Sequence, residues 1–167
     1  MSTFFHRGNE AATSGELPAL GTQAPDFRLT GIDLKDIVLS DFRGSRIVLN
    51  IFPSVDTSTC ATSVRKFNQM ASSLHNTKVI CISRDLPFAF RRFCGAEGIE
   101  NVISASEFRD HAFSENYGVE IISGSTLVGL MCRAIVVINE SGVVVHTELV
   151  QDLSTEPNYE AAIVSIS

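Results

Sequence analysis

Residues 47 to 60 read Ile47-Val48-Leu49-Asn50-Ile51-Phe52-Pro53-Ser54-Val55-Asp56-Thr57-Ser58-Thr59-Cys60, and the first six of them decide the fold. A nearly continuous apolar run stopped by proline is the pattern of a strand buried on both faces, since a strand with one wet face would alternate. Lys78-Val79-Ile80-Cys81-Ile82-Ser83 has the same character. Between these runs Cys60, Val64, Phe67, Ala71 and Leu74 recur at alternating steps of four and three, which is one face of a helix. Strand, helix and strand in that order predict a right-handed βαβ unit with the helix on one face of the sheet.

Outward from this unit the signals are weaker. Residues 1 to about 28 mix Gly8, Gly15, Gly21, Pro18 and Pro25 with short apolar pieces, which predicts a hairpin leader packed onto the core. Pro87 opens a second helix reaching about Cys94, with Gly95 and Gly98 punctuating its end. A third helix is predicted over residues 106–117, where Phe108, Ala112 and Phe113 can share a face and Gly118 follows. Two apolar runs, residues 133–138 and 143–149, flank Asn139-Glu140-Ser141-Gly142 as a hairpin, and residues 157–167 read as a closing helix. A βαβ half followed by a ββα half is the order of a thioredoxin-like α/β fold: a central mixed sheet flanked by helices, here with an N-terminal β-hairpin extension.

Composition narrows the possibilities. At 167 residues, 44% hydrophobic and 19% charged, with mean hydropathy +0.17, the chain can bury one sizeable core, so a single domain over residues 1–167 is expected. Its net charge of -6 offers no footprint for nucleic acid. No apolar run approaches the roughly 18 residues that a bilayer demands, and a cytoplasmic protein without a membrane partner is the expectation. Cys60, Cys81, Cys94 and Cys132 are too sparse for a disulfide scaffold, and no local spacing joins them to His6, His75, His111 or His146 as a metal site.

Cys60 stands in the first turn of a helix leaving the carboxyl end of a buried strand, the usual place for reactive groups in open α/β sheets. Unpaired backbone N–H groups and the positive end of the helix dipole favour an anion there, so this thiol is expected to ionise more easily than a free cysteine. On position alone, Cys60 could equally be a small packed residue. Thr57, taken alone, reads more simply as an N-cap whose hydroxyl accepts from the N–H of residue 60, the commoner role for an isolated threonine.

Together Pro53, Thr57 and Cys60 spell P-x-x-x-T-x-x-C, which resembles the active-site motif of peroxiredoxins. Ser63-Val64-Arg65-Lys66-Phe67-Asn68, Asp85-Leu86-Pro87-Phe88-Ala89 and Arg92-Phe93-Cys94-Gly95-Ala96-Glu97-Gly98 extend the likeness to the bacterial thiol peroxidases, an atypical two-cysteine group. It runs from about residue 17 to residue 167 and includes Thr155-Glu156-Pro157-Asn158-Tyr159-Glu160-Ala161-Ala162. The resemblance implies reduction of hydroperoxides with electrons from thioredoxin, a homodimer, and no metal or organic cofactor. By the same match Cys60 is the peroxidatic cysteine, Thr57 and Arg133 are donors to the breaking O–O bond, Pro53 shapes the pocket and shields Cys60, and Cys94 is the resolving cysteine.

Read without the family, Arg133 would be a solvated strand-edge charge, Pro53 a strand stop and Cys94 a packed residue. A disulfide between Cys60 and Cys94 needs Cα atoms within about 7 Å, and with both cysteines on helices some helix must unwind. The segment from Pro87 to Gly98 is expected to move most. Cys81 reads as core. Cys132 departs from the family's small residue, and strand alternation should turn it away from Arg133; packing is the expected role, with an extra reactive thiol as the alternative. Arg91 and Arg92 fit either thiolate support or a wet helix face, and His111 and His146 read as surface residues without an acid–base role. Two other functions fit the scaffold: thioredoxin-type thiol–disulfide exchange, which Cys60-Ala61-Thr62-Ser63 disfavours by lacking a second thiol, and a non-enzymatic binding or redox-sensing module.

Overall fold

The computed structural model describes residues 1–166. In chain order the elements are β1 (Thr3–His6), β2 (Asn9–Thr13), β3 (Arg28–Gly31), β4 (Asp36–Val38), a 3-10 turn (Leu39–Phe42), β5 (Arg46–Ile51), α1 (Ser58–Ala71), β6 (Thr77–Ser83), α2 (Pro87–Glu97), β7 (Ile103–Ser106), α3 (Ala112–Tyr117), β8 (Ile121–Ser123), β9 (Ala134–Ile138), β10 (Val144–Leu149) and α4 (Tyr159–Val164). Seven strands form one mixed sheet in the order β10-β9-β5-β6-β7-β3-β4, and β1-β2-β8 form a second, smaller sheet. The pairs β5/β6 and β6/β7 are parallel; β9 and β3 join them antiparallel.

The pleat sorts the apolar runs onto two faces. Ile47, Leu49 and Ile51 of β5 and Ile80 and Ile82 of β6 face one core with Phe113 and Tyr117 of α3, and with Phe4 and Ala11 of the N-terminal hairpin. Val48, Phe52, Val79 and Cys81 face the other, beneath Cys60, Val64 and Phe67 of α1, Phe90 and Phe93 of α2 and Ala162 of α4. Both faces are dry, which is why the strands lack alternation. The expected βαβ unit, leader hairpin and C-terminal hairpin are all present. Among the described residues no helix is long and apolar enough to cross a membrane.

Several expectations need correction. The helix predicted over 106–117 begins only at Ala112; Ser106 ends a strand, and Phe108, more than a third exposed, lies in the connecting loop. The stretch Ile103-Ser104-Ala105-Ser106 hides its strand character because Ser104 and Ser106 are buried. Ser106 is satisfied there: its hydroxyl donates to the Asp85 carbonyl and accepts from the Phe108 N–H at 3.2 Å. The second helix runs past Cys94 and through Gly95 to Glu97; Gly98, at φ 66°, supplies the left-handed stop. Ser167, at the end of the expected closing helix, lies outside the described residues.

Candidate active site

Sheet geometry brings the site together from three directions. The loop after β5 carries Pro53 to Thr57 and delivers Cys60 on the first turn of α1. Arg133 immediately precedes β9, the neighbour of β5 on its other edge. Because side chains alternate, Ile135 and Val137 face α1 while Ala134 and Val136 face away, and Arg133 falls on the α1 side. Its Nη1 donates to Cys60 Sγ at 3.3 Å. Arg133 is 3% exposed, so the solvated strand-edge reading is wrong for this residue. Its Nε and Nη2 donate to the Leu153 carbonyl at 3.1 and 2.9 Å, which satisfies much of a guanidinium that burial would otherwise penalise.

Cys60 itself has no exposed surface; it packs with Val48, Phe52, Val55 and Val64. Asp56, Thr57 and Ser58, just ahead of it in sequence, are exposed. Pro53 is buried. Thr57 occupies the N-cap position in extended conformation, but its hydroxyl donates back to the Ser54 carbonyl at 2.9 Å and caps nothing. The expected bond from the residue 60 N–H is therefore absent.

Asp85 holds this loop in place, a role the sequence did not announce. Its carboxylate accepts from Ser54 Oγ and from the Val55 N–H, both at 2.7 Å, and from the Ser83 hydroxyl. Three donors converging on one carboxylate pin the strand-to-helix turn against the end of β6. Beneath α1, Asn50 Nδ2 donates to Ser63 Oγ at 3.2 Å and to Cys81 Sγ at 3.7 Å, while Ser63 Oγ donates to the Cys60 carbonyl at 2.8 Å. The only hint in sequence was an asparagine inside an apolar run.

Cys94 lies on α2, half-buried, with Sγ 3.4 Å from Ser104 Oγ. Burial pushes its thiol up, partly offset by the serine hydroxyl. All four cysteines are free thiols. Arg92 Nη2 bonds Asp56 Oδ1 at 2.5 Å and Arg91 bonds the Ile32 carbonyl at 2.6 Å, so both guanidinium groups have oxygen partners at the surface. His111 is exposed, whereas His146 is half-buried on β10 with Nε2 closed off from solvent and unpartnered, contrary to the surface expectation.

Cys81 and Cys132 are fully buried on opposite faces of the sheet, and Cys132 turns away from Arg133 as alternation requires. Loss of hydration pushes both thiols up to about 12. At neutral pH they hold their protons, and a protonated, buried thiol is a poor nucleophile. Iodoacetamide at pH 7 should leave both unmodified in the folded protein and label them after unfolding, as peptide mass mapping would show. Labelling of Cys132 in the native state would restore it as a reactive thiol.

The chain is similar to known proteins in both sequence and fold. The Redoxin family description matches residues 19–163. The chain is 52% identical over 167 residues to "Thiol peroxidase" of Corynebacterium glutamicum, covering 100% of both. It is 57% identical over 166 residues to "Thiol peroxidase" of Mycobacterium tuberculosis, covering 99% of both. Among solved structures, a peroxiredoxin-like protein from Aquifex aeolicus superposes with TM-score 0.92 at 34% identity, over 98% of this chain and 95% of that one. The fold is the thioredoxin-like fold of the peroxiredoxins. The chain belongs to the redoxin family and within it to the bacterial thiol peroxidases, enzymes whose thiols reduce peroxides.

Proposed function

We propose that Cys60 is the thiol that meets the peroxide. The observation that carries this reading is the Arg133 Nη1 donor 3.3 Å from Cys60 Sγ at the start of α1. A guanidinium N–H and the free N–H groups of a helix start both favour negative charge on a sulfur, and the thiolate is the nucleophilic form. The sulfur attacks one peroxide oxygen and the O–O bond breaks. Cys60 becomes a sulfenic acid, and the other oxygen leaves as hydroxide or alkoxide and takes up a proton. Arg133, and Thr57 after rotation of its hydroxyl, are the donors for the departing charge, while Pro53 keeps water from the sulfur.

Cys94 then attacks the sulfenic sulfur, a disulfide forms, and one water is released. Thioredoxin, supplying a dithiol, returns both cysteines to thiols. Both cysteines begin in helices, so the exchange requires unwinding in residues 87–98 and at the start of α1. Hydrogen peroxide and organic hydroperoxides are the substrates, with no metal or organic cofactor taking part. Four free thiols fit a cytoplasmic, reducing setting, and packing of the N-terminal hairpin into the main core fits a single domain over residues 1–167. Leu86 and Phe88, about half exposed at the start of α2, supply apolar surface for a homodimer contact.

The reading is tested by following NADPH consumption with hydroperoxide, thioredoxin and thioredoxin reductase. Wild type should cycle. Cys94→Ser should consume about one peroxide per chain and then stop, because the sulfenic acid forms but has no partner thiol. Hydrogen exchange across residues 87–98 should rise on oxidation of wild type and stay unchanged in Cys94→Ser. Full cycling by Cys94→Ser would remove Cys94 from the mechanism.

A further inference from the structure

Arg133 is aimed at Cys60 by contacts that trace back to the N-terminal hairpin. Two of its three nitrogens, Nε and Nη2, are committed to a single acceptor, the Leu153 carbonyl. A planar fork gripped on one edge leaves Nη1 one direction to point, and Cys60 Sγ lies along it. A carbonyl can aim a guanidinium only if it is itself fixed, and Leu153 belongs to neither β10, which ends at Leu149, nor α4, which begins at Tyr159.

Leu153 is held from the far end of the chain. The Phe5 N–H donates to the Gln151 carbonyl at 2.7 Å, and the Leu153 N–H donates to the Phe5 carbonyl at 2.9 Å, forming a parallel bridge centred on Asp152. The hairpin register explains why Phe5 is free to do this. In an antiparallel pair alternate residues exchange their bonds with the partner strand and the others point outward. Phe5 pairs with Glu10 but turns both backbone groups away from β2, toward residues 151 and 153. Its side chain is 46% exposed, so the contact is carried by the backbone.

We propose that Phe5 is a positioning residue for peroxide reduction: through its backbone, β1 clamps residues 151–153, and the clamped Leu153 carbonyl orients Arg133 on Cys60. This deepens the function proposed above and rests on Arg133 acting at the Cys60 sulfur. It gives the leader hairpin, remote in sequence from every cysteine, a part in the chemistry.

Phe5→Pro tests it, because proline deletes the N–H that reaches Gln151 without removing a bond of the hairpin ladder. Thr3→Pro, two residues earlier on the same outer edge and without a bond to residues 151–153, is the control. The chain has no tryptophan, so the oxidation rate of Cys60 is read by competition for hydrogen peroxide with a haem peroxidase. Phe5→Pro should slow it about tenfold, less than outright removal of the donor because Arg133 stays in place but is aimed less well, and should shift the Arg133 Nε–H resonance in a nitrogen–proton correlation spectrum. Thr3→Pro should do neither. Added to Arg133→Gln, Phe5→Pro should slow the rate no further.

An unshifted Nε–H resonance with a wild-type rate in Phe5→Pro overturns the proposal, and so does equal slowing in both backgrounds. If Arg133→Gln reacts as fast as wild type, the function reading at Arg133 falls, and the resonance alone then decides whether the clamp exists. Should Phe5→Pro not fold, hydrogen exchange in wild type decides. The amides of Phe5 and Leu153 and the Arg133 Nε–H should lose protection in one shared opening; an Nε–H still protected after both amides open overturns the clamp.

Discussion

Cys60→Ser should reduce peroxide turnover to the rate seen without enzyme, a loss of at least about 10⁴-fold, as expected when a covalent nucleophile is removed. A serine hydroxyl stays protonated near neutrality and is a far poorer nucleophile toward peroxide oxygen than a thiolate. The change is nearly isosteric. Oγ can still accept from Arg133 Nη1, and Val48, Phe52 and Val64 keep their packing partner, so thermal unfolding should move by only a few degrees. Coupled NADPH consumption and a melting curve on the same sample separate lost chemistry from lost fold. Retained turnover in a folded Cys60→Ser protein would transfer the peroxide step to another sulfur.

Arg133→Gln should lower the rate of Cys60 oxidation by about 10² to 10³-fold, the usual cost of removing one donor from a site where charge develops. It should also destabilise the fold. The Leu153 carbonyl, buried with its residue at 3% exposure, accepts two guanidinium N–H bonds. The shorter amide can replace at most part of them, and a buried acceptor left short costs about 1–3 kcal/mol. Competition kinetics measure the first effect and denaturant unfolding the second. Arg133→Lys should recover charge but not the two-pronged grip on Leu153, so it should rescue the rate only partly. A rate unaffected by either substitution would leave Cys60 as nucleophile but remove the arginine from its chemistry.

How much of this was legible depends on where the information resides. The β5–α1–β6 unit was readable because both strands are buried on two faces and α1 shows one apolar stripe. Arg28-Leu29-Thr30-Gly31 and Asp36-Ile37-Val38 went unseen because they are only four and three residues long and too mixed in polarity to show a period; the second is the sheet edge and the first lies between it and β7. Cys60, Cys94, Pro53, Thr57 and Arg133 were singled out by resemblance, and geometry adds what a motif cannot carry: the 3.3 Å approach of Arg133 to the Cys60 sulfur. No local pattern gives Asp85 its role, because its partners, Ser54 and the Val55 N–H, lie about thirty residues upstream. The acceptor that steers Arg133 is a leucine carbonyl, and no side-chain pattern encodes which backbone oxygen will face a guanidinium.

Asn50 and Ser63 have a mechanical consequence. Ser63 is tied to the sheet through the asparagine amide and reaches back to the Cys60 carbonyl. Fraying at the front of α1 therefore meets a latch of a single hydrogen bond, worth about 1 kcal/mol, directly behind the sulfur. The turns beyond it remain bolted to β5. Under the proposed pairing of Cys60 with Cys94, the front turn of α1 would open while Val64 and Phe67 keep the hydrophobic roof closed over the sheet.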